Sequence, residues 1–305
     1  MTVAETIKEI TRKHLEENNG VALGQCLSAV GWVGGTVPEM TGHPNLIELS
    51  MDDTSSGYRA VGLALAGRRP IFICRYQGFM WFNASPFVNY AAKAKDLWGY
   101  KVPIFIRAIA MEGSIGPVAG SSHHGMITRM PGIPVCAPMT PGEYKYVWKY
   151  FMDHDEPLYV SEHRRSFPID YEMKDIIHEK ADLTIFAISA ARLNAIEAVK
   201  ILNKEGITCN LLHLVWLKPA QFDSKLNFLT FALSSSRYGG LVLDTDFEDG
   251  YSKCIAYELM HATGKKVRVL GLEERTAGFA PHLDNIPPSA EKICKTVKDI
   301  INNRR

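Results

Sequence analysis

Little in this chain is unbalanced. Lysine and arginine number 34 against 33 aspartates and glutamates, a formal net charge of +1. No excess of one sign therefore points to nucleic acid or an anionic membrane surface as a partner. No apolar run approaches the ~18 residues of a membrane-spanning helix. The opening Met1-Thr2-Val3-Ala4-Glu5 lacks the form of a signal peptide. Six cysteines (Cys26, Cys74, Cys136, Cys209, Cys254 and Cys294) are scattered without a Cys-x-x-Cys pair. Most fall inside apolar stretches, which predicts reduced, buried thiols in a cytoplasmic protein rather than a disulfide framework or a zinc site. Tandem repeats and low-complexity tails are missing too.

What is present is apolar residues, 46% of the chain, enough for about two domains of ~150 residues each. Helical and strand patterns alternate, which predicts an α/β protein of two doubly wound domains with helices on both faces of parallel sheets. An amphipathic helix is expected over 3–17 and a first strand at Val21–Gly24. The loop Gly31-Trp32-Val33-Gly34-Gly35-Thr36-Val37-Pro38 needs permissive dihedrals. Thr140-Pro141-Gly142-Glu143 has the form of a cap and first helical turn. The charged, aperiodic segment 169–180 is expected to link a first domain, 1–175, to a second, 181–305. Strands are predicted in the second at 183–188, 209–214, 241–244 and 267–270, with a helix over 194–204 ended by Gly206.

Chemistry-bearing residues concentrate between Asp52 and Gly125. Asp52-Asp53 opens a helix of small residues closed by Gly67, and Arg68-Arg69-Pro70 leads into the apolar strand Ile71–Cys74. Tyr76-Gln77-Gly78-Phe79 follows, then a helix to Lys93, a second apolar strand at Ile104–Ile106, and the loop Gly120-Ser121-Ser122-His123-His124-Gly125. A carboxylate pair, an aromatic pair and a histidine pair thus fall at strand or helix ends of one α/β layer, where such folds place their chemistry.

This order resembles the pyrimidine-binding half of the thiamin-diphosphate enzymes, the transketolases and the beta subunits of 2-oxo-acid dehydrogenases. The family's acidic residue stands fourteen positions before the closing glycine, with a proline three beyond it; from Gly67 and Pro70 that position is Asp53. Tyr76-x-x-Phe79 is similar to its aromatic pair beside the aminopyrimidine ring, and Ser122-His123-His124-Gly125 to its histidine loop. Gly278-Phe279-Ala280-Pro281 and Ile286-Pro287-Pro288 resemble the closing motif of the dehydrogenase beta subunits. The resemblance implies a second domain of the transketolase C-terminal type. Arg164-Arg165-Ser166-Phe167-Pro168 resembles the transketolase segment whose arginine grips a sugar phosphate.

The resemblance implies roles residue by residue. Asp53 would hydrogen-bond a pyrimidine ring nitrogen of thiamin diphosphate, Tyr76 and Phe79 would pack on that ring, and His123 would face the substrate. The family places glutamate where Asp53 stands; the loss of one methylene shortens the reach by about 1.5 Å, and a misplacement near 1 Å can cost ~100-fold in rate. Other readings of the same residues stand beside these. Asp52 and Asp53 could simply cap the helix, and Asp52 competes for the acid role. Adjacent His123 and His124 diverge on a loop, so at most one of them reaches the reacting atoms. A metal site would need further ligands, and none is expected nearby. Arg164 could bind a phosphate, sulfonate or carboxylate, or belong to a basic cluster paired with Glu162 or Glu172.

Family members that bind the diphosphate carry Gly-Asp-Gly followed by Asn-Asn, which holds Mg2+. Glu248-Asp249-Gly250 has no such continuation. The implied arrangement is a half-site completed by an alpha-type subunit that carries the magnesium-diphosphate module, in an α2β2 assembly. The substrate would be a small-molecule ketone or sugar phosphate. The Tyr76-x-x-Phe79 spacing and Arg164 favour transketolase-like transfer of a two-carbon ketol unit, the preferred reading; the closing motif favours the alternative, the beta subunit of a 2-oxo-acid dehydrogenase. A non-catalytic regulatory subunit is the remaining alternative.

Overall fold

The structure, a computed structural model, describes residues 1–17, 19–112, 115–116, 118–218 and 222–303, with backbone alone for 222–227. Two sheets organise it. The first contains β1 (Gly20–Gln25), β2 (Leu46–Leu49), β3 (Arg69–Cys74), β4 (Phe105–Ala110), β5 (Val135–Cys136) and β6 (Leu158–His163), in the order β2-β1-β3-β4-β6-β5. The second contains β7 (Leu183–Ile188), β8 (Cys209–Leu214), β10 (Gly240–Phe247) and β11 (Val267–Leu272), in the order β11-β10-β7-β8. Every pairing among these ten strands is parallel. Parallel strands covered on both faces read as continuous apolar runs, and β4, β6, β7 and β8 are buried at every position.

The two sheets are stitched together by β9 (Trp216–Lys218). One residue after β8 the chain leaves the second sheet and adds to the first, antiparallel to β5, pairing Cys136 with Trp216 and Val135 with Lys218. The Ala137 N–H donates to the Val215 carbonyl at 2.7 Å. A stretch between two second-sheet strands in sequence thus forms an edge of the first sheet. The helix Pro141–Asp153 carries the expected capping box, Thr140 and Glu143 each accepting from the other's backbone N–H. Glu143 also ion-pairs with Arg192 at 2.6 Å, at the first turn of the helix Ala191–Lys204.

Two helices differ from their expected form. The small-residue helix runs Ser56–Leu65, so both aspartates precede it. The helix after the aromatic pair continues past Lys93 to Trp98, with a π-helical segment Pro86–Ala91 between α-helical Met80–Ser85 and Ala92–Trp98. In the loop after β1, Gly31, Trp32, Val33, Gly34 and Gly35 all take positive φ, from 52° to 76°. Such a run is strained for Trp32 and for β-branched Val33. Val33 is fully buried, and its packing holds the conformation.

Candidate active site

The carboxyl ends of β1, β3, β4 and β6 form one edge, and the expected site residues gather along it. Before the helix Ser56–Leu65 the two aspartates have separate jobs. Asp52 Oδ1 accepts the Thr54 and Ser55 backbone N–H groups at 3.0 and 3.2 Å and the Thr54 hydroxyl at 2.9 Å. The Ser55 hydroxyl donates to Asp52 Oδ2. These bonds, led by the Ser55 hydroxyl, hold the Asp52 carboxyl well below the usual carboxylate range. Asp52 is therefore committed to the turn. Asp53 makes no hydrogen bond or ion pair with another described residue, and it lines a small recess with Gln25, Ser56, Cys74, Arg75, Phe79 and Asn83.

Phe79 shares that recess with Asp53; Tyr76 stands beside Phe79, ring centroids 5.8 Å apart and tilted by 47°. The Arg75 guanidinium lies over both rings, at 5.3 Å from Tyr76 and 6.0 Å from Phe79. It contributes a cation to the recess rather than a surface ion pair.

His123 lines a separate, open cleft with Trp81, Met126, Phe247 and Gly250. No described residue lines both the recess and this cleft; Phe79 and Trp81, two positions apart, border one each. His123 Nε2 lies 2.9 Å from the Ser121 hydroxyl, and the ring contacts Trp81 and Phe247. Burial, reinforced by the neighbouring His124 charge, pushes its pKa down to about 4. His123 is thus neutral at pH 7, with one nitrogen able to accept a proton.

His124 does not join it. It is fully buried and turned to the second sheet, its Nδ1 3.1 Å from the Ser161 hydroxyl and its Nε2 3.0 Å from Asp244 Oδ1. Burial opposes the charged form, but Asp244 and then Asp246 outweigh it, and the pKa rises to about 9. The structure gives His124 a tie between the two sheets in place of the expected contact with substrate. Nearby, the Gly125 N–H donates to Asp246 Oδ2 at 2.7 Å, an approach so close that a Cβ on Gly125 would collide with the same oxygen. Ser122 bonds Thr245 through both backbone and hydroxyl. The end of β10 therefore fastens the loop that carries His123.

Gln77, inside the aromatic motif, was not expected to matter. It is fully buried; its amide nitrogen donates to the Ser161 hydroxyl at 2.8 Å and the Ala108 carbonyl at 3.1 Å, and its oxygen accepts the His123 N–H at 2.6 Å. One amide thus joins the aromatic loop, β4, β6 and the histidine loop. The available signal was a polar residue where the surrounding pattern is apolar and aromatic.

Arg164 follows β6, and the expected pairing with Glu162 or Glu172 is not there. Glu162 is buried against Arg107 (2.7 and 3.0 Å) and the Tyr144 hydroxyl (2.6 Å). Glu172 accepts from Thr140 and the Gly142 N–H. Arg165 takes Glu112 at 3.2 Å. The Arg164 side chain has no carboxylate or hydrogen-bond partner among the described residues, and its buried Nε is unmet. Its guanidinium lies beside the positive-φ loop, 4.0 Å from where a Gly34 Cβ would be.

Glu248-Asp249-Gly250 forms the turn after β10, with Asp249 paired to Lys253. Among the described residues no group of three or more His, Cys, Asp or Glu could hold a metal ion. No helix there is long and apolar enough to cross a membrane.

Residues 53–169 match the family model of the transketolase pyrimidine-binding domain, beginning at Asp53 itself. The stretch similar to a transketolase pyrimidine-binding domain thus spans most of the first sheet, and a second parallel α/β sheet follows it. Among curated proteins, the chain is 26% identical over 198 residues to the beta subunit of acetoin:2,6-dichlorophenolindophenol oxidoreductase of Cupriavidus necator, covering 59% of this chain and 58% of that one. It is 23% identical over 243 residues to the beta subunit of the pyruvate dehydrogenase E1 component of Bacillus subtilis, covering 73% of this chain and 75% of that one. The matches span only 58% to 60% of the length of the first four such relatives. In fold it is similar to a split-gene transketolase described as an inactive beta4 tetramer, with a TM-score of 0.74 at 16% identity, covering 100% of this chain and 99% of that chain. It is also similar to the transketolase of Campylobacter jejuni, with a TM-score of 0.74 at 13% identity over 98% of this chain and 46% of that one. The chain resembles the thiamin-diphosphate enzymes of the transketolase and 2-oxo-acid dehydrogenase beta-subunit type.

Proposed function

We propose that this chain is the pyrimidine-binding, beta-type subunit of a heteromeric thiamin-diphosphate enzyme acting on a 2-oxo acid, and that its site is completed by an alpha-type subunit. The observation that carries the reading is the division between Asp52 and Asp53. Asp52 saturates itself on the turn, and the Asp53 carboxylate is left in a recess with the Phe79 ring. Those residues fit the pyrimidine half of thiamin diphosphate. When bound, that cofactor supplies a carbon nucleophile for attack on a ketone carbonyl. Asp53 would hold a proton at a pyrimidine nitrogen and Phe79 would pack on the ring face. Neutral His123 would accept or return a proton on the substrate side, and Arg164 would orient an anionic group through its unpaired guanidinium.

Mg2+ and the diphosphate are assigned to the alpha-type partner, because Glu248-Asp249-Gly250 lacks the Asn-Asn continuation. A surface for that partner is available beside the recess. Trp81, Phe82, Tyr90, Leu97, Trp98 and Tyr100, on or just after the helix behind Phe79, are 47% to 63% exposed. An apolar band of this kind marks an interface.

The preference for ketol transfer rested on Arg164, and that arginine does not discriminate, because a guanidinium grips a 2-oxo-acid carboxylate as readily as a sugar phosphate. The relatives, named as beta subunits of pyruvate, 2-oxoisovalerate and acetoin enzymes, favour the 2-oxo-acid alternative. The test is turnover by the chain assembled with its partner. Lipoyl-dependent decarboxylation of a 2-oxo acid supports the proposal, and ketol transfer between sugar phosphates without it returns the transketolase reading. No thiamin-dependent turnover of either kind leaves a non-catalytic subunit.

A further inference from the structure

A second cleft opens where the first turn of the helix Pro141–Asp153 meets the ends of β8 and β9. Its volume is about 420 Å³, within the range of small-molecule sites, and none of its residues lines the Asp53 recess or the His123 cleft. Its notable feature is two polar side chains without a hydrogen bond to any described residue. Both ring nitrogens of His213 and the indole Nε1 of Trp216 are buried and unmet, in residues only 6% and 7% exposed. The Lys174 carbonyl acts weakly on the imidazole without meeting it in hydrogen-bonding geometry. Two such groups on one cleft are uncommon, because buried donors and acceptors are nearly always paired.

The remaining lining selects the chemistry. Asp175 accepts the His213 backbone N–H through Oδ1 at 2.8 Å, which leaves Oδ2 without a hydrogen bond from a described residue. Glu143 lines the cleft too but is neutralised by Arg192 through contacts of 2.6 and 2.8 Å. An anionic ligand would face Asp175 with no uncommitted cation among the lining residues. A bare cation would face the indole N–H, a donor that cannot reverse. Tyr146 and Trp216 pack edge to face, ring centroids 6.3 Å apart, and form one aromatic side of the cleft.

We propose that this cleft binds a neutral aminated nitrogen heterocycle of the nucleobase class, with a ring-nitrogen acceptor beside an exocyclic amine, as in adenine and cytosine. The indole N–H donates to the ring nitrogen, and the amine donates to the imidazole lone pair and to Asp175. Burial and the nearby Arg192 charge push the His213 pKa down to about 3, so that lone pair is available at neutral pH. The proposal stands independently of the function assigned to Asp53.

Equilibrium dialysis and tryptophan fluorescence on the full chain test it, with adenosine and cytidine as probes. Saturable binding of one molecule per chain is expected. His213→Phe and Trp216→Phe should each weaken it about tenfold or more. Inosine and uridine, which lack the amine, should bind about tenfold more weakly, and Asp53→Ala, which removes the carboxylate of the other recess, should leave nucleoside binding at its wild-type strength. Trp216 also packs on Tyr150, so if Trp216→Phe fails to fold by circular dichroism, His213→Phe decides. Absence of saturable binding, binding unaffected by His213→Phe, or choline displacing the nucleosides more strongly than they bind would each overturn the assignment. Loss of binding in Asp53→Ala would place the ligand in the other recess and overturn it as well.

Discussion

His124 Nε2 lies 3.0 Å from Asp244 Oδ1 with neither side chain exposed, so an ion pair between residues 120 positions apart closes the junction of the two sheets. The pair makes stability depend on pH with a definite sign. The folded pKa of about 9 lies above the ~6.5 of an unfolded histidine. The stabilisation is therefore fully present below about pH 6.5 and is lost as pH rises through 9. Asp244→Asn should cost about 3 kcal/mol at pH 6.5 and far less at pH 10. Urea unfolding at both values measures this; an equal cost at both would remove the ion pair as the cause.

Three other histidines act at the opposite end of the scale. Burial first, and neighbouring positive charge after it, lowers the pKa of His123 to about 4 and those of His163 and His213 to about 3. Their neutral forms stabilise the fold above pH ~6.5, and that contribution disappears as pH falls through 4 and 3. The unfolding midpoint should drop over this window. His163→Asn, which keeps an acceptor for the Arg165 N–H now bonded at 3.2 Å, should make the drop shallower. A pH profile identical to wild type would show that His163 does not contribute.

The Arg107–Glu162 pair is almost fully buried, with side chains 1% and 2% exposed, and Glu162 also accepts from Tyr144. Removing one partner leaves the other charge unpaired away from water. Glu162→Gln should destabilise by roughly 3–5 kcal/mol, read from the denaturation midpoint. Arg107→Met together with Glu162→Met should cost less than the single change, since a buried charge is then no longer stranded.

A half-site also has a binding signature. The isolated chain should show no tight binding of thiamin diphosphate with Mg2+ in calorimetry, and binding should appear when the alpha-type partner is added. Tight binding without that partner would mean that this chain holds the diphosphate itself.

Much of the fold was legible because parallel strands buried on both faces announce themselves as apolar runs. Leu183–Ile188 and Cys209–Leu214 fall where expected, and the Thr140-Pro141-Gly142-Glu143 cap is in place. The crossing strand Trp216–Lys218 was not legible, because three residues carry no period and the partner strand is remote in sequence. Spacing from Gly67 pointed to Asp53, but that the turn absorbs the Asp52 carboxylate shows only in the structure. Likewise His124 and Asp244 each look like loop polarity until the sheets meet. Gln77 shows its role only once β4 and β6 flank it.

The most direct test of the central claim is thiamin-diphosphate-dependent turnover by the assembled enzyme carrying Asp53→Asn, measured beside Asp52→Asn. Loss of a proton-handling carboxylate should slow the Asp53 variant by about 100-fold or more with an unchanged unfolding midpoint. The Asp52 variant should lose stability while keeping most of its rate. Wild-type rates in the Asp53 variant, or the two effects exchanged between the two aspartates, would contradict the account.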